Sequence, residues 1–170
     1  MLTVNVRLAL LCLLITTFPT YAQQAPSAAT LNPDAFARKW TAAWNSHDVD
    51  RILSLYTEDA LYEDVPSVVN GWDKPLHGHQ MIRKALVGTF KEMPDLGFEL
   101  VSASGAGDRM VAEWIMTGTH WREFTGKFSI RGVSVIRRKG NRIAWDRDYY
   151  DVYLLLRQLG MVPAPDAEQQ

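Results

Sequence analysis

Cysteine is nearly absent from the 170-residue chain, which contains Cys12 and no other. One cysteine cannot close an internal disulfide, and small secreted domains often depend on such bonds. A domain of this length can instead be stabilised by its hydrophobic core alone. We therefore expect a folded part that is held together without covalent cross-links.

The chain also lacks an excess of charge of one sign. It has 18 Lys and Arg and 19 Asp and Glu, which gives a net charge of -1. Such a chain has no overall field to attract nucleic acid or an anionic membrane, and we expect neither as a partner. A local basic run at Arg137, Arg138, Lys139 and Arg142 straddles a turn signal. We interpret it as the solvated tip of a hairpin.

Motifs for cofactors and metal ions are missing as well. The run Gly105-Ala106-Gly107-Asp108 predicts a hairpin turn, because no βαβ unit surrounds it as in a dinucleotide site. His77 and His79 could ligate one ion, but no third ligand lies nearby in the sequence. We therefore expect no cofactor and no metal.

A long apolar stretch occurs near the start of the chain, at residues 8–18, and it is too short to span a bilayer comfortably. Arg7 precedes it, and Thr20-Tyr21-Ala22 offers small residues at the −3 and −1 positions of a cleavage site. These features predict a signal peptide at residues 1–22, with export to the periplasm or the medium and no membrane contact after cleavage. Uncleaved anchoring is the alternative.

The remaining chain divides into a flexible leader at residues 23–32, one domain at 33–160 and a polar tail at 161–170. Helical spacing comes first: helices are predicted after the caps Asn32 and Asp48, and at about 79–93. Alternating spacing then predicts strands at 60–65, 98–104, 110–121, 128–138 and 142–150, before a last short helix at 152–159. This order predicts an α+β fold, with three N-terminal helices packed on a strongly curved antiparallel sheet.

Two carboxylates stand out on the last strand, where Asp146, Asp148 and Tyr150 share one face by alternation. If that face lies inside, low dielectric raises the pKa of at least one carboxyl group and makes it a candidate general base or acid. The alternative is that both carboxylates face solvent or pair with Arg142 and Arg147. The pattern alone leaves both interpretations open.

Partners for a buried carboxylate are expected on two other strands. His120 is predicted on the same face as Trp114 and Met116, and an imidazole can donate or accept a proton near neutral pH. Tyr62 and Asp64 share one face of the first strand, and a buried tyrosine hydroxyl can hold a substrate oxygen. The alternative is that these groups only satisfy backbone polar atoms.

Several segments together resemble one protein family. They are residues 48–62, the helix after Gly78, residues 132–143, Arg147-Asp148-Tyr149-Tyr150-Asp151 and Leu156-Arg157-Gln158-Leu159-Gly160. They are similar to the SnoaL-like polyketide cyclases of the NTF2-like superfamily, over about residues 36–160. The resemblance implies a cone-shaped α+β fold around a pocket. It also implies a pocket aspartate that acts as acid and base with a histidine nearby, for which Asp148 and His120 are the candidates.

The Arg147–Asp151 motif also resembles that of the limonene-epoxide hydrolases. The resemblance to that family implies that Asp148 is a catalytic carboxylate and that Tyr62 is its partner on the first strand. The second carboxylate and the arginine of those enzymes correspond to Met116 and Trp114 here. Without them a water-activating pair is incomplete, so we expect negligible epoxide hydrolysis.

The sequence and the resemblance together predict an exported enzyme of the cyclase, isomerase or lyase type, acting without a cofactor on a small hydrophobic carbonyl compound. Asp148 would remove a proton, and His120 or Tyr62 would hold the enolate oxygen. The residues expected to contact the substrate are Asp64, Trp114, Met116, Phe128, Ile130, Asp146 and Tyr150. The alternative is a non-catalytic exported module that binds a small ligand, and the outer sheet face is a candidate homodimer surface.

Overall fold

The computed structural model describes residues 32–64 and 74–163. The signal peptide, Cys12, the leader up to residue 31 and the tail from residue 164 lie outside the described residues. Export and cleavage therefore stay predictions. Within the described ranges, no helix is long and apolar enough to cross a membrane.

The described residues form four helices, and a side-chain cap precedes three of them. They are α1 (Pro33–Trp44), α2 (Val49–Leu53), α3 (Gly78–Glu92) and α4 (Val152–Gln158). Asn32, Asp48 and Asp151 each accept a hydrogen bond from a backbone N–H in the first turn of the helix that follows. The helix starts that the sequence predicted at Asn32 and Asp48 are confirmed.

In the same part of the chain, six strands form one sheet in the order β2-β1-β6-β5-β4-β3. They are β1 (Tyr56–Asp64), β2 (Leu76–His77), β3 (Gly97–Ala106), β4 (Arg109–Trp121), β5 (Phe124–Lys139) and β6 (Arg142–Tyr150). The α+β class and the curved sheet are confirmed. Pairing is antiparallel except between β1 and β6, which run parallel. The prediction of an antiparallel sheet was therefore wrong for the pair β1 and β6. The reason is that β1 follows the first two helices and is not joined to β6 by a hairpin.

Aromatic side chains fill the space between α1 and the sheet. Phe98 of β3 contacts Trp40 and Trp44 of α1 and Trp114 of β4 edge-on, with ring centroids 5.3–5.8 Å apart. Trp40, Trp44 and Leu86 are buried and Phe90 is partly buried. The prediction that these four residues pack toward the sheet is therefore confirmed.

The Trp114 ring lies directly over Gly132 on the neighbouring strand β5. A Cβ atom added at Gly132 would come within 2.2 Å of that ring, closer than any van der Waals contact. The indole NH of Trp114 is fixed at the same time by a 2.9 Å hydrogen bond to Ser134 Oγ. Glycine at position 132 therefore leaves the space that the Trp114 ring occupies.

We expect Gly132→Ala to destabilise the fold by about 2 kcal/mol, because the ring must move in a filled core. Chemical denaturation followed by tryptophan fluorescence measures this. Gly88→Ala is the matched control, since a Cβ there meets nothing within 4 Å and alanine is favoured inside a helix. Equal stability of Gly132→Ala and the native chain would contradict the packing described.

Candidate active site

A cavity of about 520 Å³ lies between α3, α4 and the concave face of the sheet. Its wall is mainly apolar, with a few charged groups. The residues that line it are Asp64, Lys74, Pro75, Leu76, Met81, Lys84, Ala85, Gly88, Thr89, Glu92, Met93, Met116, Trp121, Arg122, Tyr150, Val152 and Leu155. The volume and the mixed wall are typical of a site for a small organic molecule.

Helix α3 contributes one continuous stripe to this wall. Met81, Lys84, Ala85, Gly88 and Glu92 recur at intervals of three and four residues, so they lie on one face of the helix. Gly88 stands in the middle of the stripe, where a side chain would meet open space. The absence of a side chain at position 88 thus enlarges the cavity.

Behind the sheet side of the wall, β6 presents two buried carboxylates. Asp146 is 0% and Asp148 7% exposed, and both lie on the concave face because strand side chains alternate. The face that carries both carboxylates therefore lies inside, which was the condition of the first of the two interpretations from the sequence. Arg147 points to the opposite face, where its Nη2 atom donates to Glu63 Oε1 at 2.9 Å.

Asp148 is held by hydroxyl groups from both neighbouring strands. The hydroxyl of Tyr62 on β1 donates to Oδ2 at 2.9 Å, and that of Ser134 on β5 donates to Oδ1 at 2.5 Å. Trp114 in turn donates to the Ser134 hydroxyl. The expected partnership of Asp148 with Tyr62 is found, and Ser134 is a second partner that the sequence analysis missed.

Asp146 lies deeper and has a tyrosine of its own. The Tyr56 hydroxyl donates to Asp146 Oδ2 at 2.5 Å. The indole Nε1 of Trp40 and the backbone N–H of Arg147 also interact with this carboxyl group and lower its pKa, but desolvation by burial outweighs them. An ionised carboxylate in this position is poorly solvated, which favours the protonated form.

A third pair of the same kind reaches the cavity wall. The Tyr150 hydroxyl lies 3.3 Å from Asp64 Oδ2 and donates to it. Asp64 on β1 is in register with Asp148 on the parallel strand β6. Three carboxylates, each accepting a hydrogen bond from a tyrosine, thus run from the core to the cavity in the order Asp146, Asp148, Asp64.

Burial dominates the acid–base properties of this row. Desolvation raises the pKa of Asp146 to about 7. Desolvation and the charge of Asp146 raise the pKa of Asp148 well above its ordinary value, although its hydrogen bonds act in the opposite direction. Burial also raises the pKa of Tyr62 and of Tyr150. The carboxyl pair therefore retains a proton near neutral pH, and both tyrosines stay protonated hydrogen-bond donors.

His120 lies outside this arrangement. Its side chain is 47% exposed and contacts Thr119 and Asp95 at 2.6 and 3.8 Å. The register of β4 against β5 shifts between Gly118 and His120, so that Trp121 takes the inward position instead. The expected placement of His120 beside Asp148 was wrong, because simple alternation does not hold across this irregularity.

The other predicted contact residues divide into two groups. Met116, Asp64 and Tyr150 line the cavity. Trp114, Phe128, Ile130 and Asp146 are buried in the core beside or behind it, and none of them belongs to the wall. The sequence analysis did not predict that one face of α3 forms part of the cavity wall. The available signal was the run of small residues on one face of this helix, Ala85, Gly88 and Thr89, which leaves space beside it.

Neither of the two histidines around Gly78 is among the residues that line the cavity. His77 is exposed and precedes α3, and His79 Nε2 lies 3.3 Å from the backbone oxygen of Tyr56. Within residues 32–64 and 74–163, no cluster of three or more metal-ligating side chains occurs.

A family model described as a SnoaL-like domain matches residues 37–145. No curated protein matches the chain. Solved structures are similar in fold. One is a hypothetical protein of ketosteroid isomerase-like fold from Catenulispora acidiphila DSM 44928, in complex with trimethylamine. It is 22% identical with a TM-score of 0.68, over 79% of this chain and 100% of that one.

Two further similar structures are candidate polyketide cyclases. The one from Bacillus cereus ATCC 10987 is 23% identical with a TM-score of 0.61, over 75% of this chain and 80% of its own. The SnoaL-like one from Shewanella denitrificans OS-217 is 17% identical with a TM-score of 0.62, over 76% and 97%. At these identities the likeness of the solved structures establishes the fold. The family match at residues 37–145 includes Tyr62, Ser134 and most of the residues that line the cavity.

The raised pKa of Asp146 predicts how stability depends on pH. The folded state holds a proton between about pH 4 and pH 7 that the unfolded state has lost, so this group's contribution to stability falls as pH rises through that window. Asp146→Asn removes the titration and keeps an acceptor for Tyr56. We expect the variant to gain stability relative to the native chain as pH rises, on the order of 3 kcal/mol across the window.

Urea denaturation at pH 4.5 and pH 8 measures this difference. Asp108→Asn, at an exposed position in the turn between β3 and β4, is the control and should show no comparable trend. A constant difference between Asp146→Asn and the native chain at both pH values would mean that Asp146 is ionised throughout.

Proposed function

The chain belongs to the family of SnoaL-like domains, and on that premise we propose that it is a cofactor-independent enzyme of the isomerase, cyclase or lyase type. Its substrate is a small, largely apolar carbonyl compound that occupies the cavity between α3 and the sheet. Asp148 is the general acid and base, and Asp64 and Tyr150 contact the substrate at the wall.

The observation that carries this proposal is the buried carboxylate row next to an apolar cavity. Among the described residues, Asp148 and Asp146 have hydroxyl and indole groups around them and no cation in hydrogen-bond contact. Burying such groups costs several kcal/mol when they are ionised. A carboxyl group that loses and regains a proton near neutral pH is what proton transfer next to a carbonyl requires.

The geometry supports a short path from Asp148 to the substrate. Asp64 and Asp148 are in register on adjacent strands, so their backbones are about 5 Å apart. A substrate that touches Asp64 and Tyr150 is therefore within reach of Asp148 by a side-chain rotation or through one water molecule. Removal of the proton leaves an enolate oxygen, which the Tyr150 hydroxyl at the wall can stabilise if it turns from Asp64 and donates its hydrogen bond to that oxygen.

A non-catalytic binding module is the second candidate function, and one observation favours it. Both oxygens of Asp148 already accept hydrogen bonds, and Asp148 does not itself line the cavity. In that case the carboxylate row would only orient a ligand. The two functions differ in what happens to the acidic protons of a bound carbonyl compound.

Proton exchange tests this difference without knowledge of the full substrate. Small apolar ketones and β-keto esters are incubated with the protein in D₂O, and deuterium uptake next to the carbonyl is followed by NMR. We expect the native chain to accelerate exchange of at least one compound. Asp148→Asn should lose on the order of a hundredfold of that acceleration because the base is removed.

Two controls accompany the exchange measurement. Asp108→Asn should exchange at the native rate, and the thermal unfolding of Asp148→Asn should show that it folds. Exchange by the native chain that persists fully in Asp148→Asn would assign the chemistry to another group. Tight binding of a carbonyl compound with no accelerated exchange would favour the binding module.

A cavity-filling variant tests whether this space holds the ligand. Gly88→Leu places an isobutyl group in the open space of the cavity, and leucine is well accepted within a helix. We expect normal stability but at least tenfold weaker binding of whichever compound exchanges, because the side chain competes for the same volume. Val87→Leu, on the exposed side of α3, is the control, and calorimetric titration is the measurement. Unchanged binding in Gly88→Leu would place the ligand elsewhere.

A further inference from the structure

Three neighbouring strands each contribute one group to a hydrogen-bonded chain that ends on Asp148. Trp114 Nε1 of β4 donates to Ser134 Oγ of β5 at 2.9 Å, and Ser134 Oγ donates to Asp148 Oδ1 of β6 at 2.5 Å. Ser134 is 0% and Trp114 1% exposed, so bulk water does not reach these contacts. The chain therefore acts on Asp148 from the core side of the sheet.

The indole fixes the direction of this chain. An indole N–H can only donate, so the Ser134 oxygen accepts from it. A serine hydroxyl carries one hydrogen, and among the described residues its other hydrogen-bond contact is Asp148 Oδ1. If that hydrogen turned away from Oδ1, a buried donor would lose its acceptor, which is costly. Ser134 therefore donates to Oδ1 whether Asp148 is ionised or protonated.

The second oxygen of Asp148 has a partner that can reverse its role. Oδ2 accepts from the Tyr62 hydroxyl at 2.9 Å, and a phenol hydroxyl can both donate and accept. Asp64 lies two residues further along β1 and is close enough to influence Tyr62 electrostatically. The Tyr62 hydrogen can turn toward Asp64 when Oδ2 is protonated. A proton that Asp148 takes up consequently belongs on Oδ2.

Oδ2 is also the oxygen on the cavity side. It faces β1, whose Asp64 lines the wall, whereas Oδ1 faces β5. Among the described residues, β5 contributes none to the cavity wall. A proton on Oδ1 would therefore point into the core, and a proton on Oδ2 points toward the strand that reaches the ligand.

We propose that Ser134, itself held by Trp114, is a positioning residue that keeps Oδ1 of Asp148 an acceptor and so reserves Oδ2 for proton transfer. This inference rests on the proposed function for the reaction, and it adds which oxygen of Asp148 reacts and what selects it. Ser134 and Trp114 do not touch the substrate and act through Asp148.

The groups around Asp148 determine how the proposal is measured. From β5 and β4 it is approached by the neutral Ser134 and Trp114. The titratable groups near it come from β1 and from its own strand, and they are Tyr56, Tyr62, Asp64, Asp146 and Tyr150. Because Asp146 and Asp148 titrate as a pair, the measurements are made on Asp146→Asn, in which Asp148 titrates without a second carboxyl on β6.

The C=O stretching band of protonated Asp148 reports which oxygen is the carbonyl. With the proton on Oδ2, the carbonyl oxygen is Oδ1, and the hydrogen bond from Ser134 lowers the stretching frequency. We expect Ser134→Ala to move the band to higher frequency and Tyr62→Phe to move it much less. Infrared difference spectra at about pH 5 measure this, and the band is assigned by its loss in Asp148→Asn.

The pH at which this band disappears supplies the second arm. Ser134→Ala removes a hydrogen bond that stabilises the ionised carboxylate, so the pKa of Asp148 should rise, by about 1 pH unit. Trp114→Phe keeps an aromatic ring but no N–H, and it should raise the midpoint by less. Ser129→Ala, at an exposed position of the same strand, is the control. The midpoint of deuterium exchange against pH should follow the same order, whereas a merely structural role would lower exchange equally at every pH.

Two results would overturn the proposal. One is a band that moves with Tyr62→Phe and stays in place with Ser134→Ala, which would put the proton on Oδ1. The other is an unchanged midpoint in Ser134→Ala. Exchange that depends on Asp148 but keeps its pH midpoint in Ser134→Ala would remove the role of Ser134 and leave the enzyme. The expected infrared shifts without any accelerated exchange would overturn the proposed function, and with it the part of Ser134 in a reaction.

Discussion

The rest of the site depends on the burial of carboxylates on the concave face of β6, where no cation of the described residues contacts them. Ionised carboxylates in such a position are costly, and Arg147, the nearest cation along the chain, is turned to the outer face and bound to Glu63. Hydrogen bonds from hydroxyl groups offset part of this cost, and a proton retained on the carboxyl pair offsets more of it. The same constraint therefore explains the tyrosines around the row and its readiness to exchange a proton.

The parallel pairing of β1 with β6 is what brings these tyrosines to the carboxylates. Register places Tyr62 beside Asp146 and Asp64 beside Asp148, so one strand supplies both a hydroxyl donor and the carboxylate that reaches the cavity. Antiparallel β5 supplies Ser134 from the other side. The order of strands in the sheet, rather than any short motif, determines the contacts of Asp148.

Local sequence patterns were sufficient for most of the elements, except the short strand β2, and for which side chains share a face, as Asp146 does with Asp148 and Tyr62 with Asp64. They did not determine which face is buried. Alternation and caps depend on neighbours along the chain, and these are visible in the sequence. The misplacement of His120 and the omission of Ser134 have another cause. The first depends on a register shift between β4 and β5, and the second on which residue of β5 lies opposite Asp148. Pairing of distant strands is not encoded in local periodicity.

The proposed function depends on how this row meets the cavity. Among the described wall residues, Asp64 and Tyr150 belong to the strands that also hold Tyr62 and Asp148, whereas Met81 and Ala85 of α3 are apolar. Apolar contacts are non-directional. In a cavity of about 520 Å³, the hydrogen-bonding groups of β1 and β6 are therefore the ones that can orient a ligand. A carbonyl group held there would face the carboxylate row, and its apolar remainder would lie against α3.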